Sequence, residues 1–139
     1  AWRRLTAGFS KVLLDPMDLQ ARGDMLLGAT FAGMAIEASM LGAAHALANP
    51  LTANLGTPHG QAVGMMMPHV IRFNSTVVED RYEVLLKNTA GLTLDDSPPS
   101  EQLAQRMTHW LEQAGLATTL PQLDRWPASE SDSDSILHT

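Results

Sequence analysis

Residues 45–60 read His45-Ala-Leu-Ala-Asn-Pro-Leu-Thr-Ala-Asn-Leu-Gly-Thr-Pro-His59-Gly60, and this segment joins two helical patterns. Before it, apolar and small residues recur at helical spacing. Asn49-Pro50 is expected to end that helix, because the residue before a proline avoids the helical region. Thr57-Pro58 indicates the start of the next helix, with a capping residue followed by proline at the first helical position. The segment therefore predicts consecutive helices that carry a histidine at each of their facing ends.

His45 and His59 are the candidate metal ligands. They lie fourteen positions apart, each next to a helix break where side chains can converge. Neutral imidazole is the commonest metal ligand in proteins, and it suits Zn, Fe, Cu or Ni, so the ligand type does not identify the metal. A catalytic metal normally needs at least three protein ligands and an open position. From spacing alone, a shared metal and two structural histidines remain alternatives.

Other chemistries have less support in the sequence. His69, His109 and His138 are expected to be hydrogen-bonded structural residues. The chain has no cysteine, which excludes disulfides, thiolate metal sites and cysteine nucleophiles. It also has no G-x-S-x-G, G-x-G-x-x-G or Walker A sequence, so neither a hydrolase elbow nor a phosphate cradle can be recognised.

Composition limits the partners and the compartment. A chain of 139 residues fits one domain, and its net charge of −6 argues against nucleic acid. Met25–Ala48 is apolar enough to suggest a membrane span, but it contains Glu37 and His45 and lacks a basic flank after it. A helix inside a soluble bundle is the favoured interpretation. With no secretory signal, a cytoplasmic protein with no membrane or nucleic-acid partner is expected.

The rest of the chain predicts helices and a tail. No strand-like alternation is convincing, so the fold class is expected to be an all-α helical bundle. Gly28 and Gly33 are expected to be ordinary core-packing residues. A polar, poorly ordered tail is expected at 126–139. The expected helices cover 2–14, about 18–47, 59–73 with a kink at Pro68, 77–91, 100–113 with Ser100 as N-cap and Gly115 as C-cap, and a short one near 118–123.

Three segments together resemble the iron-containing (group III) alcohol dehydrogenases. They read Gly33-Met-Ala-Ile-Glu-Ala-Ser-Met-Leu-Gly-Ala-Ala-His45-Ala-Leu-Ala-Asn-Pro-Leu51, Pro58-His59-Gly60 and Met67-Pro-His-Val-Ile-Arg-Phe-Asn74. Weaker similarity extends from Ala1 to Leu123, whereas the tail after Arg125 does not resemble the family.

The resemblance implies a fold and a site. In that family an N-terminal α/β domain holds NAD(P), and an all-helical C-terminal domain holds a divalent metal, usually iron and sometimes zinc. Its ligands are an Asp, a His four residues later and two further histidines, which fall on His45 and His59 here. Asn49 stands where the family often has another histidine, and Gly42 and Gly60 would let helices approach. The chain corresponds to a partial metal-binding domain over 1–125, without the first two ligands and without an NAD(P) site.

The expected function follows from this partial ligand set. The chain is expected to be a fragment of a metal-dependent NAD(P)-linked alcohol dehydrogenase that acts on a short alcohol, diol or aldehyde. Alone it should be inactive and at most bind Fe²⁺ or Zn²⁺ weakly, with no catalytic residue assigned. Two alternatives remain: a subunit completed by a partner chain, or a non-enzymatic helical oligomerisation domain with relic histidines. A homo-oligomer or a separate N-terminal nucleotide-binding domain is the expected partner, because a partial bundle exposes apolar surface.

Overall fold

A computed structural model describes residues 1–89 and 91–126, and this part of the chain contains helices and no strand. The prediction of an all-α fold is confirmed. The expectation of a poorly ordered tail concerns residues that, apart from Trp126, lie outside the described ranges. The elements are α1 (Trp2–Leu14), α2 (Leu19–Ser39), α3 (Ala43–Leu55), α4 (His59–Lys87), α5 (Pro99–Gln113) and a short 3₁₀ helix (Leu120–Gln122).

The helices belong to two compact units. Unit 1 comprises Ala1–Met40 and Arg72–Leu103, and unit 2 comprises Leu41–Ile71 and Ala104–Thr139. Both candidate histidines lie in unit 2, on α3 and α4. The two units are described separately below.

In unit 1, α1 packs closely against α2 because glycines remove side chains from the contact. Gly28 is buried, and a Cβ on it would come within 2.7 Å of the Leu5 side chain, so the predicted core packing at Gly28 is confirmed. A Cβ on Gly33 would meet nothing within 4 Å, so the same prediction is wrong for Gly33. The Trp2 indole N–H donates to the Leu85 carbonyl at 2.8 Å and ties the start of α1 to the end of α4.

The start of α5 is capped from α4. Its helix begins at Pro99, and the Ser100 backbone N–H donates to Glu79 Oε1 at 2.8 Å. The prediction that Ser100 is the N-cap is therefore wrong, because a carboxylate from another helix accepts this hydrogen bond. Arg72 strengthens the connection with two hydrogen bonds to Glu101, of 2.7 and 2.9 Å.

The long second helix of the prediction is two helices in the structure. α2 ends at Ser39, and Met40 adopts φ 69°, an uncommon conformation for a residue other than glycine. α3 then runs through Pro50, which was expected to stop it. A proline inside a helix costs about 3 kcal/mol or more. Burial of Leu51 and Leu55, each worth about 1.5–3 kcal/mol, offsets that cost.

α4 combines the two predicted helices at 59–73 and 77–91. The helix was predicted to kink at Pro68, and this prediction is wrong. The non-helical backbone inside α4 lies instead at Val78, with φ −130° and ψ 21°. Other helix boundaries were predicted correctly. Asp18 caps α2 by accepting from the backbone N–H groups of Gln20 and Ala21, and Gly115 after α5 has φ 67°.

Unit 2 has its own hydrophobic core. Buried residues of α3 pack with residues of α4 and α5 to form this core. Partly buried side chains, including Trp126, pack against the outside of the core. A Cβ on Gly64 would lie 2.9 Å from Leu111 Cδ2, which shows how closely α4 and α5 approach there. The buried cluster consists of Ala48, Leu51, Leu55, Ala62, Met65, Leu111 and Leu123.

The length and apolarity of the helices bear on whether they could cross a membrane. Across residues 1–89 and 91–126, no single helix is both long and apolar enough to cross a membrane. α2 and α3 taken together, as a bent pair, meet the length and composition criteria.

Candidate metal centre

His45 lies in the first turn of α3. The turn at Met40 ends α2, and Gly42 then serves as the N-cap of α3 with an extended backbone. The His45 backbone N–H donates to the Gly42 carbonyl at 3.1 Å. His45 was expected near the end of the preceding helix, and this expectation is wrong because the break at Met40 makes His45 the third residue of a new helix.

His59 is the first residue of α4, as predicted, and a glycine turn sets its position. Gly56 adopts the left-handed conformation, with φ 69° and ψ 16°. Its N–H donates to the Thr52 carbonyl at 3.2 Å, and the Thr57 N–H donates to the Leu51 carbonyl at 3.3 Å. The Gly56 bond, from a left-handed residue to the carbonyl four residues before it, is the αL capping arrangement, and it ends α3 just before Pro58.

The structure brings the two imidazoles together. The ring centroids of His45 and His59 are 5.5 Å apart, with an angle of 43° between the ring planes. Two imidazoles bound to one tetrahedral ion at about 2.1 Å would have centroids about 5 Å apart. The observed separation therefore fits a shared divalent metal, and the nitrogen donors suit Fe²⁺ and Zn²⁺.

The core of unit 2 holds this pair in place. Ala44 and Ala48 are buried on α3, and Ala62 is buried on α4. His45 follows Ala44 directly, and His59 lies one turn before Ala62, so both histidines border the buried interface between their helices. His45 is half-buried and His59 is exposed. Their rings consequently meet at the edge of the core, within reach of solvent.

The rest of the expected ligand set is not present in the described residues. Among residues 1–89 and 91–126, no group of three or more His, Cys, Asp and Glu side chains could hold a metal. His69 is exposed on α4, and the exposed His109 lies 3.9 Å from Glu112 on its own helix. The close approach expected at Gly42 and Gly60 is wrong, since a Cβ at either position would meet nothing within 4 Å.

Two polar residues share a face of α3 with His45, and they were not identified as a group from the sequence. His45, Asn49 and Thr52 follow the i, i+4, i+7 spacing and so share one face of α3. Asn49 is exposed, whereas Thr52 Oγ1 is buried without a hydrogen-bond partner in the described part of the chain. The spacing was available in the sequence, but the burial of the Thr52 hydroxyl depends on tertiary packing.

The resolved pKa shifts lie in unit 1. The pKa of Tyr82 is raised, mainly because burial disfavours the phenolate. The pKa of Asp95 is lowered by hydrogen bonds from the Ser97 side chain and backbone. Tyr82 lies within α4 and Asp95 in the loop before α5, so neither belongs to unit 2, which carries the histidine pair.

A protein-family model matches most of the chain. The family model described as "Fe-containing alcohol dehydrogenase family, C-terminal" matches residues 2–133. The chain belongs to this family. No solved structure matches the chain.

Curated relatives of the family match part of the chain. It is 40% identical over 79 residues to the protein named probable alcohol dehydrogenase EutG of Salmonella typhimurium, covering 57% of this chain and 20% of the relative. It is 33% identical over 84 residues to lactaldehyde reductase of Escherichia coli K12 (58% and 22%). It is 37% identical over 83 residues to 1,3-propanediol dehydrogenase of Klebsiella pneumoniae (56% and 21%). These matches span about a fifth of the relatives' length.

Proposed function

We propose that this chain is part of the metal-binding helical domain of an NAD(P)-linked alcohol dehydrogenase, with His45 and His59 as two ligands of a divalent metal. One observation carries the proposal: the two imidazoles are 5.5 Å apart at the starts of consecutive helices. The family match over residues 2–133 supports it independently, because the family is named for its iron.

The residues present define what this domain contributes to the reaction. A bound Fe²⁺ or Zn²⁺ supplies Lewis-acid polarisation of an alcohol or carbonyl oxygen. His45 and His59 bind and orient such an ion from one side. Asn49, one turn after His45 and exposed, can donate or accept a hydrogen bond next to them, but unlike a histidine it does not exchange a proton near neutral pH.

Activity is proposed to need more than this chain. Two imidazoles are fewer than the three protein ligands of a typical catalytic metal site, and the sequence carries no dinucleotide-binding motif. NAD(P) would therefore be bound by a partner domain. Alone, the chain is proposed to be inactive and to bind metal weakly.

The substrate is proposed to be a short alcohol, diol or aldehyde. The support comes from the relatives, whose names specify lactaldehyde and 1,3-propanediol. Both compounds are small and polar, and both carry oxygens that a Lewis acid can polarise.

A partner is proposed to cover α2. This helix buries only Ala21 and Gly28 among its 21 residues, although its apolar side chains lie all round it. A helix of that kind is normally buried, and large exposed apolar patches mark interaction sites. We favour a homo-oligomer or a nucleotide-binding domain as the partner, in the cytoplasm. The exposed large side chains along α2 and its C-cap are Leu19 (79%), Leu26 (70%), Leu27 (44%), Phe31 (44%), Met34 (64%), Ile36 (38%) and Met40 (81%).

Metal titration tests the proposal. Purified chain, stripped of metal, is titrated with Zn²⁺ or Co²⁺ and compared with His45→Ala, His59→Ala and the double variant. Each single substitution should weaken binding at least tenfold, and the double variant should lose little more, since one imidazole cannot chelate. His69→Ala is the matched control, because His69 is exposed on the same helix as His59 and lies ten residues from it. Equal affinity in all variants would exclude the metal pair and favour the alternative of a non-enzymatic helical domain.

Alcohol oxidation with NAD⁺ or NADP⁺ tests the enzymatic part. The chain alone should show no turnover. Turnover by the chain alone that disappears in His45→Ala and His59→Ala would show that the proposed inactivity is wrong.

A further inference from the structure

A cavity of about 520 Å³ lies in unit 2, between the turn that ends α3 and the segment after α5. Its lining includes Gly56, Pro58, Gln61, Leu116 and Arg125, but neither His45 nor His59. The volume falls within the range of small-molecule sites, roughly 300–1,000 Å³. We infer that this cavity binds a small monocarboxylate with an aliphatic tail, a function beyond the proposed metal site.

Arg125 supplies the charge at one side of the cavity. Its Nη1 lies 3.3 Å from the position that a Cβ on Gly56 would take, so the guanidinium rests against the glycine turn. Arg125 has no ion-pair or hydrogen-bond partner in the described part of the chain. A guanidinium presents a planar fork of N–H donors that matches the two oxygens of a carboxylate.

Two glutamines add neutral donors. Gln122 Oε1 accepts from the backbone N–H groups of Thr118 and Thr119, at 2.8 and 3.1 Å, and this leaves its side-chain NH₂ available to donate. Gln61 also lines the cavity. Together with Arg125, these groups offer hydrogen bonds to an acceptor-rich ligand.

The other residues that line the cavity determine which ligand charge is favoured and where an aliphatic tail would bind. Asp124 lines the same cavity as Arg125, and its carboxylate repels a dianion such as phosphate more strongly than a singly charged ligand. Leu55, Leu116 and Leu123 provide apolar surface, and Leu116 is 40% exposed. A short aliphatic chain attached to a carboxylate would satisfy both parts of the lining.

The test titrates metal-free chain with butyrate and follows the backbone amide resonances of Gly56 and Gly115 by NMR. Butyrate should bind with a Kd of roughly 1–10 mM, as expected for a ligand of few atoms. Arg125→Gln should weaken binding at least fivefold, while Arg125→Lys should retain part of it. Arg81→Gln, which removes the same charge from an exposed position outside the cavity, should change the Kd less than twofold.

Further arms test the ligand class and the independence of the site. Butyramide and inorganic phosphate should bind more weakly than butyrate, and Leu116→Ser should weaken butyrate more than acetate. The variant lacking both His45 and His59 should bind butyrate normally, so failure of the metal proposal leaves this result interpretable. Equal butyrate binding by wild type and Arg125→Gln, or tighter binding of phosphate, would overturn the inference.

Discussion

The imidazole rings of His45 and His59 have their centroids 5.5 Å apart and their planes tilted by 43°, although the two residues lie in the first turns of different helices. Neither ring depends on the other for its place. The Gly42 cap positions the first, and the turn at Gly56 positions the second. The site is therefore preorganised by helix ends, which lowers the entropy that a metal would otherwise have to offset on binding.

Zinc should stabilise unit 2 through this pair. At a free Zn²⁺ concentration of 100 times Kd, binding only to the folded state adds about 2.7 kcal/mol to the free energy of unfolding. Urea denaturation with and without Zn²⁺, followed by Trp110 and Trp126 fluorescence, measures the difference. His59→Ala, with binding weakened at least tenfold, should lose about half of this stabilisation or more at the same Zn²⁺ concentration, and an undiminished Zn²⁺ effect in that variant would contradict the assignment.

Thr52→Val should leave the protein as stable as the wild type or raise its free energy of unfolding by about 1 kcal/mol. The Thr52 hydroxyl is buried without a partner in the described residues, and such a group carries a desolvation cost of about 1–3 kcal/mol. Thr108→Val is the matched control, because the Thr108 hydroxyl donates to the Ala104 carbonyl at 3.2 Å. The control should be the less stable variant in urea denaturation. The reverse order would mean that Thr52 has a hydrogen-bond partner.

Gly28→Ala and Gly33→Ala should have opposite effects, although both glycines lie within α2. A methyl on Gly28 would come within 2.7 Å of the Leu5 side chain and 3.2 Å of the Leu5 backbone nitrogen, so α1 would have to move. Overpacking of this kind costs about 1–3 kcal/mol. At Gly33 nothing opposes a methyl, and helix propensity should add about 1 kcal/mol.

Thermal unfolding followed by circular dichroism compares the two variants with the wild type. A lower midpoint for Gly33→Ala than for Gly28→Ala would contradict the packing described for α1 and α2.

Local sequence signals predicted those boundaries that depend on local chemistry. Asp18, Pro58 and Gly115 each mark a helix end because the capping carboxylate, the fixed φ of proline or the left-handed glycine acts within a few residues. His59 was placed correctly in this way at the start of a helix, whereas His45 was expected near the end of one and lies in the first turn of α3.

Boundaries that depend on distant contacts were not predictable in this way. Gly42 weakens the helical pattern near Met40, but it does not by itself predict a break, because Leu41 and Ala43 continue the apolar, small-residue pattern. At Pro50 the local rule predicted a stop, yet the core face beyond it keeps the helix intact. The cap of α5 by Glu79 joins residues 21 positions apart, a relationship that periodicity cannot show.

Lowering the pH should remove the contribution that ionised Asp24 makes to the free energy of unfolding of unit 1. Its pKa lies below the ordinary 3.8, first because the Gln20 side chain donates to it and then because Arg4 does. A lowered folded-state pKa means that the contribution is complete above about pH 3.8 and is lost as the pH falls through the folded-state value. The stability gap between wild type and Asp24→Asn should therefore narrow as the pH falls.

Urea denaturation of wild type and Asp24→Asn, from neutral pH down to the lowest pH at which both proteins stay folded, measures this difference in the free energy of unfolding. Glu37→Gln is the control, since Glu37 is an exposed carboxylate on the same helix without a partner in the described residues. A gap for Asp24→Asn that stays constant into acid would contradict the linkage.

Gly56→Ala should weaken both unit 2 and its metal pair. Gly56 has φ 69°, and a residue with a Cβ in this region costs about 1–2 kcal/mol. The added methyl would also lie 3.3 Å from Arg125 Nη1. Because the Gly56 turn sets where α4 begins, relaxation of that strain would shift His59 relative to His45 and lower Zn²⁺ affinity. Gly60→Ala is the matched control in the first turn of α4, where a methyl meets nothing within 4 Å. It should retain wild-type affinity, and equal Zn²⁺ binding by both variants would show that the turn at Gly56 does not position the ligand.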